Sequence, residues 1–521
     1  MTRVHARFGW SCSDGGMDAV LLCRRIEEFI TTSSSGIVVE EGETLFDLSE
    51  SKYSLSSENG RCVLQVWSSE RNCVRRVLDA EEKNGALRLQ VQRLGRPKPT
   101  SLEICRNRDQ RTPSAKRSQR ASYERLLERV LLRTFPGFVA DHPKSSVDLE
   151  RSFGPIYARG TLHKGSTVFA VLGVNAEELQ ASVDGALTIG LLWLDYLRER
   201  EAGRKHVGGL RIFVPLGRSA IVRERMAHLN REAASFELYE FDQRAESAER
   251  VDTSDRGNIA TRLVHCPNER GALERFGESI GRIRGLIPQC DVVVVSPAEI
   301  SFRLHGLEFA RARVAGSIHS SQEVVFGVGP SERVLDAETE TLFAEIVRRL
   351  WESRRAGPAR PGDVLWRMAP ERWLESLIVH DVGRLDYRLD SRWVYSQVPA
   401  FAASDRAMID VLTSTTDGRL AVLELKADED LHLPLQGLDY WARVRWHHSR
   451  GEFQKFGYFT GAVLSEKAPL LMLVAPALRI HPTTDKLLRY FSPEIEWELV
   501  AVNEEWRDGV RRVFTKRALA H

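Results

Sequence analysis

Residues 406–428 read RAMIDVLTSTTDGRLAVLELKAD. Two short apolar runs flank Asp417-Gly418, a dipeptide suited to a tight hairpin turn, so the pattern predicts two antiparallel strands. Side chains alternate across a strand, which puts Glu424 and Lys426 on one face and Leu423 and Leu425 on the other. A carboxylate and an ammonium on a strand this apolar need a reason. If Asp410 faces the same way, two carboxylates and a lysine converge at one sheet end. Hard oxygen ligands of that kind hold Mg²⁺, and a lysine can stand beside its bound water.

The hairpin sits within a longer pattern. PERWLESLIVHDV (370–382) predicts a helix before it, and LPLQGLDYWARVRWHHS (433–449) a long helix after it. PLLMLVAP, TTDKLLRYF and IEWELVAV then read as strand, helix and strand. The same order begins earlier, at Tyr123. YERLLERVLLRTF predicts a helix, VDLERSFGPIYARGTL and STVFAVLGVNA strands, and EELQASVDGALTIGLLWLDYLRERE a long helix. LRIFVPLG, AIVRERMAHLN and SFELYEFD repeat strand, helix and strand.

The two runs align in three blocks. Glu371–Glu375 sits over Glu124–Glu128, Leu420–Leu423 over Phe169–Leu172, and Leu438-Asp439-Tyr440 over Leu194-Asp195-Tyr196. In this register Glu424 falls on Gly173, Lys426 on Asn175, Asp410 on Arg159 and Gln436 on Leu192. The first copy keeps the scaffold pattern and lacks the charged set.

At these residues the chain resembles the PD-(D/E)XK phosphodiesterase superfamily, most of all the branch of EndoMS-type mismatch and branched-DNA endonucleases. The resemblance is one of motifs and covers about 363–480. The matching positions are Glu375 in the opening helix, Asp410 for the motif aspartate, and Glu424-Leu425-Lys426 for the (D/E)XK part. Gln436, ten residues past the lysine, opens the next helix as it often does in that branch. Ile409 stands where the family has proline. The resemblance implies catalytic roles for Glu375, Asp410, Glu424, Lys426 and Gln436, with Mg²⁺ (or Mn²⁺) bound at Asp410, Glu424 and Leu425. It implies DNA as the partner, whether single-stranded, branched or mismatched.

The residues carry that chemistry without the family. A metal held by two carboxylates stabilises phosphate charge and lowers the pKa of a bound water. Lys426 can orient that water or contact the phosphate as a point charge. Each signal has a plainer meaning by itself: a Glu-x-Lys triplet is commonly a surface ion pair, and a helix glutamate is commonly solvated. Their order across helix, strand, strand and helix is what favours a site. The competing reading is a non-catalytic nucleic-acid-binding or scaffold protein in which the C-terminal copy is vestigial too.

The expected architecture is multidomain α/β. Residues 1–112 form an all-β module, since from Gly36 six or seven alternating segments run to about Arg106. Residues 113–245 are the degenerate copy, 246–362 an α/β extension without assigned role, and 363–521 the intact copy. Between Arg93 and Arg120 stand nine Lys or Arg against two acids, with scattered prolines, and 106–120 reads as a linker. Its Arg106, Arg108, Arg111, Lys116 and Arg117 are candidate phosphate contacts, beside basic strand positions such as Arg75, Arg76 and Arg88. Arg443, on a helix that interleaves aromatic and basic residues, is a further candidate; the alternative is that Tyr440 and Trp441 are core and the arginines reach past them. Adjacent His447 and His448 point about 100° apart and make a poor metal pair.

Composition narrows the classes. The chain has 521 residues, too many for one core, and a net charge of only +2, so any basic surface is local. Seven cysteines form no CxxC pair, which argues against zinc and a secreted disulfide framework. No signal-peptide pattern or membrane-length apolar run is evident, so the expected setting is the cytoplasm without membrane association, and a homodimer is left open.

Overall fold

The computed structural model describes residues 19–518 apart from 33–35, 41–42, 49–51, 59–60, 68–71, 84–85, 94–98, 107–112, 149–150, 257–258, 260, 316–320, 328–331, 358–359, 361 and 403–404. The chain forms two compact units, Met1–Gly160 and Thr161–His521.

In the first unit, α1 (Ala19–Thr31) precedes β1 (Ile37–Glu40), β2 (Glu43–Asp47), β3 (Lys52–Glu58), β4 (Arg61–Trp67), β5 (Asn72–Lys83), β6 (Ala86–Arg93) and β7 (Thr100–Cys105). All seven strands pair antiparallel in the order β2-β1-β7-β6-β5-β4-β3. Leu22, Ile26 and Phe29, spaced along one face of α1, share a core with Leu64, Val66, Leu87 and Leu89 of the strands. Next come α2 (Pro113–Thr134) and β8 (Val139–Lys144).

Two expectations about this unit change. The segment read as a linker is helical from Pro113, because proline at a first helical position gives up an N–H that has no partner there anyway. The basic strand face is also largely paired. Arg75 makes a two-pronged ion pair with buried Glu40, and Arg88 pairs with Glu103.

The chain passes from the first unit to the second within β9 (Tyr157–Lys164). This strand is followed by β10 (Thr167–Val174), α3 (Gln180–Asp184), α4 (Ala186–Glu201), β11 (His206–Pro215), α5 (Ala220–Met226), β12 (Ser235–Asp242) and β13 (Ser247–Val251). β10, β11 and β12 are parallel neighbours, and β13 closes the edge antiparallel. A separate antiparallel sheet contains β15 (Asp291–Ser296), β16 (Glu299–Leu304), β17 (Leu307–Ala315), β18 (Ser321–Phe326) and β19 (Arg333–Val334) in chain order. Its core includes side chains of α6 (Glu269–Arg275), α7 (Gly277–Leu286) and α8 (Glu340–Arg354), and α9 (Val364–Arg367) follows.

The C-terminal part begins with α10 (Pro370–His380) and α11 (Val382–Leu385), then β20 (Leu389–Ala402), β21 (Asp405–Thr415) and β22 (Leu420–Leu425). Then come α12 (Leu433–Ser449), α13 (Glu452–Lys455), β23 (Leu470–Pro476), α14 (Thr484–Leu488), β24 (Trp497–Val502) and β25 (Arg512–Arg517). The sheet order is β14-β20-β21-β22-β23-β24-β25, where β14 (Thr261–Leu263) comes from the middle of the chain.

The element order of the two halves now matches beyond the sequence blocks. β22, β23 and β24 are parallel neighbours closed antiparallel by β25, as β10, β11 and β12 are closed by β13. A long helix, α4 or α12, links the first two of these strands, and a short one, α5 or α14, the next two. The protein is a mixed α/β chain with four sheets among its described residues.

Candidate active site

The hairpin of the 406–428 stretch forms as its sequence directs. Gly418 adopts φ +82° at the turn, and a Cβ there would lie 2.2 Å from the Val463 carbonyl oxygen, so glycine is required. Val411 pairs with Leu423, which places Asp410 across from Glu424 on the same face of the sheet. All six residues of β22 are buried, because β21 and β23 flank it and helices cover both faces. Leu423 and Leu425 pack with Trp373, Leu374 and Ile378 of α10, while Val422 packs with Val444 of α12. Glu424 therefore lies under α12 beside Gly437, whose missing side chain leaves room for Leu473. A Cβ at Gly437 would meet Leu473 Cδ2 at 2.5 Å and Glu424 Cβ at 3.6 Å.

The three charged groups meet. Lys426 Nζ donates to Glu424 Oε1 at 2.9 Å and lies 3.9 Å from Asp430. The Leu425 N–H donates to Asp410 Oδ2 at 3.0 Å. Burial pushes the Glu424 carboxyl well above its ordinary range, and the Asp410 charge opposite adds to this. Burial raises Asp410 as well, against the pull of the Leu425 amide and Lys426. Burial opposes the charge on Lys426, but Glu424 outweighs it and holds the ammonium above its ordinary value. Glu424 Oε2 is buried and has no hydrogen-bond partner among the described residues. Two carboxylates facing each other, one with an orphaned oxygen, suit a hard divalent cation. Among the described residues no group of three or more His, Cys, Asp or Glu could hold a metal ion. Asp410, Glu424 and the Leu425 backbone would thus leave the remaining positions to water and phosphate, as Mg²⁺ commonly has it.

Glu375 belongs to the same cluster. It is buried on α10, accepts from Gln397 Nε2 at 2.7 Å and from Arg372 Nη1 at 3.1 Å. Burial pushes its pKa up to about 7, with Arg372 opposing and Asp410 assisting. Gln397 was not singled out by sequence, since a glutamine in a strand carries no signal. Its neighbours Ser396 and Val398 pair with Val411 and Ile409, which sets it across from Asp410, and its φ of +53° departs from extended geometry. Arg372 stands three residues before Glu375 on one helix face and was legible as an i,i+3 pair.

The middle sheet supports the helix that carries Glu375. Gly306, at φ +73° between β16 and β17, lies against the Arg372 backbone, where a Cβ would come within 2.0 Å of the carbonyl oxygen. Arg354 of α8 is fully buried over the Trp373 ring and donates to the carbonyls of His305, Leu365 and Met368. These contacts give residues 246–362 a bracing role that their sequence did not disclose.

Of the cluster's residues, Glu375 lines a cavity. A cavity of about 280 Å³ beside Glu375 is lined by Arg284, Arg303, Arg372, His380 and Ser396 among others. A separate cleft of about 520 Å³ is lined by Ala427, Asp428, Arg479 and Arg507 among others, and by none of the four charged groups of the cluster. Gln436 lies in the first turn of α12, with a buried Oε1 that has no partner among the described residues.

No family model matches the chain, and no curated protein sequence does.

The surface candidates fare differently. Arg443 is 3 % exposed and faces Glu224 of α5, so it is an interhelical residue and not a surface phosphate contact. Trp441 is core, its Nε1 donating to the Pro469 carbonyl. His447 pairs with Glu452 and Thr261, and His448 Nε2 donates to the Ser465 carbonyl oxygen at 2.8 Å. Arg106 is paired with Glu82 and lies over the Phe29 ring, which ties it to the β module. Lys116 and Arg117 lie on α2, and Arg117 is exposed. Arg108 and Arg111 fall outside the described residues.

The buried carboxyls make stability fall as pH rises. Glu375 has a folded pKa of about 7 against an ordinary 4.5, so the native state holds a proton that the unfolded chain has already released. That stability is complete below about pH 4.5 and is lost progressively up to about pH 7, a change of roughly 3 kcal/mol for a group this buried. Denaturant melts in EDTA between pH 5 and 8 should show the decline, and Glu375→Gln should flatten it. Identical slopes for the two proteins would refute the coupling.

Proposed function

We propose that this chain is a Mg²⁺- or Mn²⁺-dependent endonuclease that hydrolyses phosphodiester bonds in DNA, with a PD-(D/E)XK type of site in its C-terminal copy. The observation that carries the reading is the convergence of Asp410, Glu424 and Lys426 on one face at a buried sheet end, with Glu375 and Gln397 behind Asp410. A surface ion pair would not bury Glu424 to 2 % exposure and leave one of its oxygens without a partner.

Asp410, Glu424 and the Leu425 backbone would hold the cation. Bound there, it supplies Lewis acidity toward phosphate oxygens and lowers the pKa of a coordinated water. The protein's own groups do the rest. Lys426, fixed by Glu424 and Asp430, holds a positive charge next to the site, where it can orient water or meet a phosphate oxygen. Glu375, with a pKa near neutrality, is suited to take up or give a proton at the site's edge. Gln397 and Arg372 fix its carboxyl. The arginines lining the cavity beside Glu375 offer a path for flanking phosphates.

No helix among the described residues is long and apolar enough to cross a membrane. The direct test is a Mg²⁺ or Mn²⁺ titration of the purified protein against single-stranded, duplex, mismatched and branched DNA. Cleavage of at least one form with metal, and none in EDTA, is expected. Binding without cleavage of any form at any metal concentration would favour the vestigial scaffold reading.

A further inference from the structure

The two halves of the second unit meet through reciprocal contacts. Arg225 of α5 makes a bidentate ion pair with Asp439 of α12, at 2.9 and 2.7 Å. In the opposite sense, Lys486 of α14 and the following Arg489 pair with Asp195 of α4, at 3.0 and 3.2 Å. Asp195 and Asp439 are the same position of the repeated Leu-Asp-Tyr block, and α5 and α14 are the corresponding short helices. Each half thus offers the other the same acid and receives the same kind of base, which is the signature of a two-fold, isologous interface.

Two further contacts locate the axis. Thr188 Oγ1 and His432 Nδ1 are 3.0 Å apart, and the offset that aligns Leu194 with Leu438 also aligns these two residues. A contact between equivalent residues lies on the symmetry axis. At the far end, Leu229 and Phe491 form an antiparallel bridge, where the Asn230 N–H donates to the Tyr490 carbonyl and the Ser492 N–H to the His228 carbonyl. These segments follow α5 and α14 in their respective halves. The axis therefore runs from the amino-terminal ends of α4 and α12 to the loops after α5 and α14. Both site positions, at the ends of β10 and β22 just before those long helices, belong to its Thr188–His432 end.

The halves differ in what they place there. One has Glu424 and Lys426. The other has Gly173 and Asn175, and the Asn175 carboxamide oxygen accepts from the Glu177 N–H as a turn cap. In the sequence register Asp410 falls on Arg159, a residue of the first unit that is buried and donates to the carbonyls of Ser146, Gly154 and Tyr157. No carboxylate stands at either metal position of this half.

We infer that this chain is a single-chain counterpart of a two-fold nuclease dimer, and that it cuts one strand of a duplex at each encounter while its inert half holds the other strand. The inference rests on the nuclease reading above. Duplex DNA has two-fold axes relating its strands, so a two-fold protein presents equivalent positions to both. With ligands at only one position, water adds to one phosphate, one P–O bond breaks, and the partner strand keeps its bonds.

The experiment is a time course on supercoiled plasmid with the full chain in excess and Mg²⁺ or Mn²⁺ present, repeated over a tenfold range of protein concentration. Open circles should accumulate until the supercoiled form is consumed, with linear product appearing only after a lag. Linear product formed without a lag, at any protein concentration, would overturn the inference and leave the nuclease reading standing, since two sites would then have acted together. Cleavage of single-stranded DNA alone would also overturn it and spare that reading. Failure to cut any DNA would remove both.

Discussion

Glu424→Gln is expected to abolish cleavage, by at least about 10³-fold in rate, and to leave the protein folded with a higher melting temperature above pH 7. The substitution keeps the shape of the side chain and the acceptor for Lys426 Nζ. It removes the charge that burial and Asp410 both oppose. The sign follows from linkage. A carboxyl whose pKa is raised by folding destabilises the native state increasingly as pH rises past its unfolded value, and the amide has no such proton to lose. Asp410→Asn should behave alike, because it removes the opposing charge from the same pair. Cleavage rates with matched thermal melts at pH 8 in EDTA and in Mg²⁺ provide the check. Wild-type protein should gain stability from Mg²⁺, and the Glu424→Gln variant should gain little, because a ligand stabilises only the state that binds it. Full activity in the variant would refute the site. A lowered melting temperature in EDTA would refute the account of its electrostatics.

The second large effect is expected at the interface between the halves. Arg225 and Asp439 are both well shielded, with side-chain exposures of 8 % and 15 %, and Arg225 also donates to the Asp184 carbonyl. Arg225→Asp sets two carboxylates against each other, and breaking a buried pair in this way costs about 3–5 kcal/mol. Asp439→Arg alone should cost a similar amount. The double exchange should recover a substantial part of the loss, because the pair is reconstituted with its ends reversed. Denaturant unfolding of the four proteins measures the coupling. Cleavage of duplex DNA should follow the same pattern, since Asp439 stands within one turn of Gln436 and Gly437 on α12, and Gly437 lies against Glu424. Additive losses, with no recovery in the double variant, would show that the ion pair does not hold the halves together.

Much of the site was legible because its signals are local. Asp417-Gly418 specifies a turn, strand alternation puts Glu424 and Lys426 on one face, and the antiparallel register then brings Asp410 opposite Glu424. The recurring order of elements was legible for the same reason. Helix and strand periodicities recur in order, and the strand pairings of the two halves follow that order.

What the sequence could not give depends on which faces meet. Arg443 and Trp441 sit on a helix whose polar and aromatic residues alternate, so no pattern told that the helix is covered by α5 as well as by its own sheet. Arg75 looked like a surface base until the fold brought Glu40 to it from a strand that is distant in the chain. Pro113 opens a helix within a stretch whose charge and prolines read as linker, because proline's preference for a first turn is invisible without knowing where the turn falls. Gln397 reaches Glu375 only through the pairing of β20 with β21, and Arg354 reaches Trp373 only once the middle sheet has packed on α10. The sequence by itself determined the hairpin, the common face of Glu424 and Lys426 and the recurring order of elements, all of which are written in short-range spacing. The tertiary structure alone decided which helices of the two halves meet, since the Arg225–Asp439 and Lys486–Asp195 pairs join residues more than 200 positions apart whose encounter depends on the packing of whole helices.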